Sequence, residues 1–298
     1  MTRRARQRYE AGSVSQAATF RGSHSTSTKS SWTWTIDALS DRRIRITVEY
    51  DGTQFHGFQR QPSVRTVAGV LEAALHEIFG ERIAITAAGR TDAGVHATGQ
   101  VISFLPSHAF PLDRLALALN RILPRDVSVR DTAEMPGDFS ARFSAVSRTY
   151  VYAILNRRDP SALLGRYAWH VYKPLDVEAM RAAAAHLIGE HDFRSFCALP
   201  ESGGTNRTVL GLKIDRHGEI LRLEIGAGGF LHHMVRAIVG TLVECAGGRR
   251  DPESVPAILA ARDRAAAGVN APPHGLYLAG VRYPDGYDSL REPWLFAQ

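Results

Sequence analysis

Between Arg43 and Ala133 the apolar residues switch repeatedly between the two-residue spacing of a strand and the three-to-four-residue spacing of a helix. That succession constrains the fold more than any other feature of the chain. Ile44, Ile46, Val48 and Tyr50 alternate with polar residues, which predicts a strand with one buried face. Thr66 is placed to cap a helix carrying Val70, Leu71, Ala74, Leu75, Ile78 and Phe79 on one side, and Gly80 to end it. A strand over Ile83–Ala88, a second through Val101, Ser103 and Leu105, a helix over Leu112–Ile122 and a strand over Val127–Ala133 follow. The order β-α-β-β-α-β predicts a ferredoxin-like sheet with helices on one face.

The second half has a similar build. A strand over Arg148–Leu155 puts Tyr150 and Tyr152 on one face. Asp176 caps a helix running to Leu187, and Thr208–Asp215 pairs with Glu219–Ile225 across Arg216, His217 and Gly218. A long helix is expected over Phe230–Cys245, a short one near Ser254–Ala261 and a last strand near Leu276–Tyr283. The fold class is therefore α+β, sandwich-like, of two ferredoxin-like units. The expected divisions are a disordered basic tail over 1–40, an N-terminal α/β domain over 41–146 and a C-terminal α/β domain over 147–298.

Composition excludes several classes of function. With 44% hydrophobic and 22% charged residues in 298, the bulk of the chain is globular. No apolar run approaches about 18 residues and the N-terminus has no hydrophobic core segment, so neither a membrane partner nor secretion is expected, and the protein is read as cytoplasmic. Two cysteines, Cys197 and Cys245, do not make a disulfide scaffold or a cysteine zinc site. The net charge is +6, much of it in the tail, where Arg3, Arg4, Arg6, Arg8, Arg21 and Lys29 stand against Glu10 and Asp37. Only Lys29, Lys173 and Lys213 of the 36 basic residues are lysine. Arginine suits phosphate forks and base stacking, although composition bias alone also produces such a skew.

The segment with most chemistry is GRTDAGVHATGQV, Gly89 to Val101, polar and glycine-rich between two strands. Asp92 lies there beside Arg90, Thr91 and His96; it is either a catalytic carboxylate or an Asp turn bonded to its own backbone. Arg236 sits within an expected helix that is apolar on most of its circumference, so it needs a carboxylate partner, pairs with a structural acid, or lies on a narrow solvated face. Asp92 is the attractive partner, and such a pair would favour its charged form. Tyr150, near Arg142 and Arg148, is either a stacking platform for a nucleobase or a core residue. Gly226–Gly229 fails the dinucleotide pattern because Leu231 takes its last glycine position. His232 and His233, adjacent on an expected helix, should point apart and not chelate, so no metal is expected.

GRTDAGVHA resembles the active-site motif of tRNA pseudouridine synthases of the TruA type. The segments VEYDGTQFHGFQRQP (48–62), FSARFSAVSRTYVY (139–152), HDFRSF (191–196), GFLHHMVRAIVG (229–240) and PPHGLYLAGVRYP (272–284) resemble others of that family, in order. The resemblance implies that Asp92 is the catalytic aspartate, that Arg236 pairs with it, that Arg90 helps extrude the target nucleotide and that Tyr150 stacks on the uracil. Thr91, His96, Gln59, Arg60 and Phe196, within or beside the matched segments, are carried over as substrate-binding. It further implies two α/β units whose antiparallel sheets join along a cleft, a homodimer, no cofactor, and a tRNA substrate whose uridines 38, 39 and 40 in the anticodon stem-loop become pseudouridine. His232 departs from the pattern, where many relatives carry an aromatic residue. Two other functions are compatible with parts of the chain: an RNA-binding protein without catalysis, which has no need of Asp92 beside Arg236, and a base-excising glycosidase, which favours two carboxylates where this loop offers one.

Overall fold

In the computed structural model, residues 42–198, 204–284, 286–291, 293 and 296 are described. The expected tail, 1–40, lies outside them. Strand β1 (Arg42–Tyr50) pairs antiparallel with β3 (His96–Phe104) on one side and β4 (Val127–Pro136) on the other. An interior position explains why β1 is covered on both faces and not, as its alternation predicts, on one. Ile44, Ile46 and Val48 enter the main core, while Arg45 and Thr47 are buried on the opposite side. There Arg45 bonds Asp131 at 2.6 Å and Thr47 at 3.0 Å. The backbone carbonyls of Gly99 and Arg291 accept hydrogen bonds from Ser289 and Thr98, which lash 289–291 over the same face.

Local signals hold where the partners are sequence neighbours. Thr66 accepts from the Gly69 N–H and opens α1 (Val67–Phe79), and Gly80 closes it at φ 74°. Helix α2 occupies Leu112–Ile122 and α3 Val177–Ala185, with the Asp176 carboxylate accepting from the N–H groups of Glu178 and Ala179. Such a cap contributes about 1 kcal/mol. The strand expected over Ile83–Ala88 shrinks to β2 (Thr86–Ala87). The expected hairpin is tighter than its sequence suggests: β8 (Asn206–His217) and β9 (Ile220–Ala227) pair His217 with Ile220, leaving Gly218 and Glu219 as the turn, with Gly218 at φ 58°.

The strands form one sheet. Its order is β4-β1-β3-β10-β5-β9-β8-β7, where β5 is Ser147–Asn156, β7 is Gly189–Asp192 and β10 is Leu276–Arg282; β6 (Trp169–Val171) pairs with β5 and β2 with β3. The last strand, β10, lies parallel to β3 and antiparallel to β5, so it stitches the first half of the sheet to the second. Helices α1, α2, α3 and α4 (Met234–Ala246) bury their apolar sides with one face of the sheet in a single cluster that includes Leu71, Leu115, Met180 and Leu242. Two smaller clusters, around Val101 and Val151, cover the other face. The fold is the α+β class. None of the described helices is long and apolar enough to cross a membrane.

Candidate active site

A cleft of about 1180 Å³ opens where α1, the loop before β3, the start of β5 and the first turn of α4 meet. The loop from Gly89 to Val95 forms its floor and is held by backbone groups. Gln100, buried in β3, donates to the Gly89 carbonyl at 2.8 Å. Thr91 bonds the Tyr50 hydroxyl at 2.7 Å, and burial pushes that phenol up to about 12, so it stays neutral. The Phe58 N–H donates to the Thr91 carbonyl at 3.0 Å and the Gly94 N–H to the Phe55 carbonyl at 3.3 Å. Thus the segment 55–58 is a brace for the loop. Gly57 makes it possible: its φ is +90°, and a Cβ there would stand 3.0 Å from the Thr91 carbonyl oxygen.

The Asp92 carboxylate makes no hydrogen bond to its own turn, so the Asp-turn alternative does not hold. Its Oδ2 meets Nη1 of Arg236 at 3.2 Å, a pairing across 144 residues of chain. The structure places Arg236 differently from the expectation. Helix α4 begins at Met234 and not at Phe230, because the chain leaving β9 first makes a turn through His232 and His233, closed by the Met234 N–H on the Leu231 carbonyl. Arg236 therefore stands in the first helical turn, at the cleft, and not mid-helix. Its Nε donates to the Ala271 carbonyl at 2.8 Å, which fixes the guanidinium plane.

The same turn overturns the reading of the two histidines. They are not on the helix; His233 precedes it at φ 62°, and the rings of His232 and His233 stack with centroids 3.9 Å apart. Nε2 of His233 lies 3.3 Å from Asp92 Oδ2 and Nε2 of His232 lies 3.8 Å from Oδ1. Asp92, His232 and His233 thereby bring three potential metal-ligand atoms within 4.8 Å of one another. Helical periodicity alone does not reveal either, because it carries the helix backward over a stretch with no capping side chain. The signal available was Gly228-Gly229 followed by no Ser, Thr, Asp or Asn before Met234.

Tyr150 packs edge-on against Phe230, ring centroids 5.1 Å apart, and is 8% exposed. Its hydroxyl makes no hydrogen bond among the described residues, and burial pushes the phenol well above its ordinary value, with Asp92 and Tyr50 adding to the rise. It is thus both a core residue and part of the cleft wall, with the Gly89 backbone close to its hydroxyl. Tyr152, two residues on, is core only; its hydroxyl donates to the Pro272 carbonyl at 2.7 Å.

Six arginines line the cleft (Arg60, Arg90, Arg142, Arg148, Arg207 and Arg236) against Asp92 and Glu72. They do not act alike. Arg148 donates to the carbonyls of Ala88, Gly228 and Arg142, and burial presses its guanidinium below its ordinary value. Arg60 pairs with Glu72 at 3.1 Å, and Gln59 stands beside it at the rim. Arg90 is exposed and has no ion pair among the described residues. Thr91 is in the wall.

Two expected substrate-binding residues are not in the cleft, and the expectation is corrected for both. His96 is 2% exposed: its Nε2 faces the carbonyls of Arg166 and His274 at 3.1 and 3.2 Å, its Nδ1 accepts from the Gly52 N–H, and its ring stacks on Tyr277. It braces the start of β3. Phe196 is fully buried against Phe193 in a short 3-10 turn. Motif membership marks them, but it does not tell a wall residue from one behind the wall.

The sequence profile of the family described as "tRNA pseudouridine synthase" matches residues 46–144 and 183–284. Proteins called tRNA pseudouridine synthase A are similar over most of the chain. One from Halalkalibacterium halodurans is 49% identical over 79% of this chain and 90% of its own. One from Moorella thermoacetica is 48% identical over 80% and 99%, and one from Escherichia coli 45% identical over 84% and 93%. Among solved structures, a Cbf5-Nop10-Gar1 complex is 12% identical with a TM-score of 0.34, over 74% of this chain and 51% of that one, a likeness too slight to carry a structural argument.

Proposed function

Because the chain belongs to the tRNA pseudouridine synthase family, and so is an isomerase acting on tRNA, we propose that Asp92 is its catalytic carboxylate and that it converts uridine to pseudouridine at positions 38, 39 and/or 40 of the anticodon stem-loop. The observation that carries this reading is the Asp92–Arg236 pair at the floor of a cleft lined by arginines.

The reaction breaks the C1′–N1 bond, turns the uracil and joins C1′ to C5. The proton on C5 is lost and N1 gains one, so nothing is oxidised and no donor group is consumed. The target base has to leave its stack, at a cost of a few kcal/mol. Arg90, exposed and without an ion pair among the described residues, suits the vacated space. Phosphates on either side suit the remaining rim arginines, and Gln59 and Thr91 supply hydrogen bonds at the wall. Tyr150 offers a ring to the flipped uracil beside Asp92. The Asp92 carboxylate then attacks the sugar carbon, attacks uracil C6, or removes a sugar proton; each route requires a carboxylate that Arg236 orients. We further propose a cytoplasmic homodimer, on the family resemblance.

The test is tritium release from tRNA carrying [5-³H]uridine, wild type beside Asp92→Asn. The expected result is loss of release on the order of 10⁴-fold, with tRNA affinity kept, since phosphate contacts dominate binding. Release by Asp92→Asn at the wild-type rate would overturn the assignment. Retained binding with no release by the wild type would point to an RNA-binding protein without catalysis.

A further inference from the structure

His232 and His233 have no role in the reading above, yet they are the nearest neighbours of Asp92 after Arg236. His233 is one of three described non-glycine residues with positive φ, the others being Ser63 and Arg262. A left-handed backbone is unfavourable for an L-residue and persists where its surroundings impose it. Here it turns the imidazole out of the helical path and toward the carboxylate.

What lies behind the ring determines its tautomer. Nδ1 of His233 is 3.3 Å from Nδ2 of Asn270, and Asn270 Oδ1 accepts from Arg264 Nη2 at 2.9 Å. A guanidinium only donates, so the Asn270 atom facing Arg264 is its oxygen. The atom facing His233 is then the amide nitrogen, which also only donates. Nδ1 must accept, and the proton of a neutral ring lies on Nε2, the nitrogen that stands 3.3 Å from Asp92 Oδ2. Oδ2 is shared with Arg236, and Asp92 Oδ1 makes no hydrogen bond among the described residues.

Resting on the assignment of Asp92 as the catalytic carboxylate, we propose that Arg264, Asn270 and His233 form a positioning relay: neutral His233 donates from Nε2 to Oδ2, and with Arg236 turns Oδ1 toward the substrate. Four titratable or charged groups face His233: Asp92, His232, Arg236 and Arg264. Burial lowers the ring's affinity for a proton; Asp92 opposes this, and His232, Arg236 and Arg264 add to it. His233 is therefore a neutral donor at neutral pH. The same tautomer argues against a metal among Asp92, His232 and His233. A ligating Nε2 would move its proton to Nδ1, against the Asn270 donor, and the ion would sit beside Arg236.

The test is single-turnover tritium release from [5-³H]uridine tRNA, with tRNA affinity and thermal melting recorded for every variant. His233→Gly keeps the left-handed backbone and removes the donor; the rate should fall about 10- to 100-fold with affinity within about twofold. His233→Gln, which restores an N–H at the position of Nε2, should recover part of that loss. Asn270→Ala frees the tautomer and should slow the step by a smaller factor. Asn270→Asp gives Nδ1 an acceptor and draws the proton of the neutral ring to Nδ1, so only the charged ring still donates from Nε2, and the rate should fall as pH rises and the ring loses its charge. Wild-type rate and pH profile in both His233→Gly and Asn270→Ala, with Asp92→Asn inactive, would overturn the relay. Isomerisation by Asp92→Asn would instead overturn the assignment of Asp92 on which it rests.

Discussion

The loop Gly89–Val95 and the turn Phe230–His233 reach the same carboxylate by opposite means. The loop is held by its backbone: carbonyls at Gly89 and Thr91 and the N–H of Gly94 are all engaged by buried neighbours. The turn has a backbone bond of its own, the Ala198 N–H donating to the His232 carbonyl at 3.1 Å, but what it presents to Asp92 is set by side chains, through His233 on Asn270 and, in the helix that follows, Arg236 on the Ala271 carbonyl. A backbone-held loop depends on what lets another strand of chain approach it, and tolerates changes to its outward side chains. A side-chain-held turn depends on the identity of each partner. The difference teaches that the two sides of one site should fail in different ways.

The largest effect that breaks the comparison is on the side-chain-held face. Arg236→Ala leaves Asp92 with only His233, among the described residues, at hydrogen-bonding distance in a partly buried site, and the isomerisation rate should fall on the order of 100-fold or more. The half-open setting should limit the loss of stability to about 2 kcal/mol, below that of a fully buried pair. Chemical denaturation and tritium release on one preparation separate the two; a stable, fully active variant would show that the pairing has no role. Next comes the backbone-held side. Gly57→Val demands positive φ from a β-branched residue and sets a Cβ against the Thr91 carbonyl, so it should destabilise by about 1–3 kcal/mol. Its rate should drop through displacement of the loop, without a change in pH profile. Outward Ala93→Ser, in the same loop, should be silent, and a matched loss there would erase the distinction.

Smaller still is Tyr150→Phe. The hydroxyl has no hydrogen-bond partner among the described residues, so its removal should cost the folded state nothing measurable and leave the rate within about threefold, because stacking uses the ring face. A loss of 100-fold would assign the hydroxyl a chemical part. Smallest is an acid drift in stability. Burial depresses the proton affinity of His233 and, with His96 adding, of His274. Below about pH 6.5 the unfolded chain binds more protons than the folded one, so stability declines as pH falls. Melts between pH 7 and 5 should show it, with a shallower decline in His274→Gln.

Much of the site was legible before folding is considered. Asp92 and Arg236 stood out because a carboxylate in a glycine-rich loop and a guanidinium in an apolar stretch each need a partner, and each is the other's. The cap residues Thr66 and Asp176, the end at Gly80 and the span of α2 were equally plain. His233 was not, since the left-handed φ that aims it arises from a packing arrangement and not from its neighbours' chemistry. Nor was the removal of His96 and Phe196 from the cleft, because motif residues support a wall as often as they line it.

What the sequence determined by itself is whatever is decided within about four residues: the period of a strand or helix, the caps that start and stop it, and the turn a glycine permits. These depend on hydrogen bonds and steric limits between near neighbours, so they survive in any fold the chain adopts. Only the tertiary structure decided that β10 closes between β3 and β5, that β1 is covered on both faces, and that Asp92 finds His233 as well as Arg236. Those contacts join residues far apart in the chain, and their energy depends on burial and geometry that exist only once the sheet has closed.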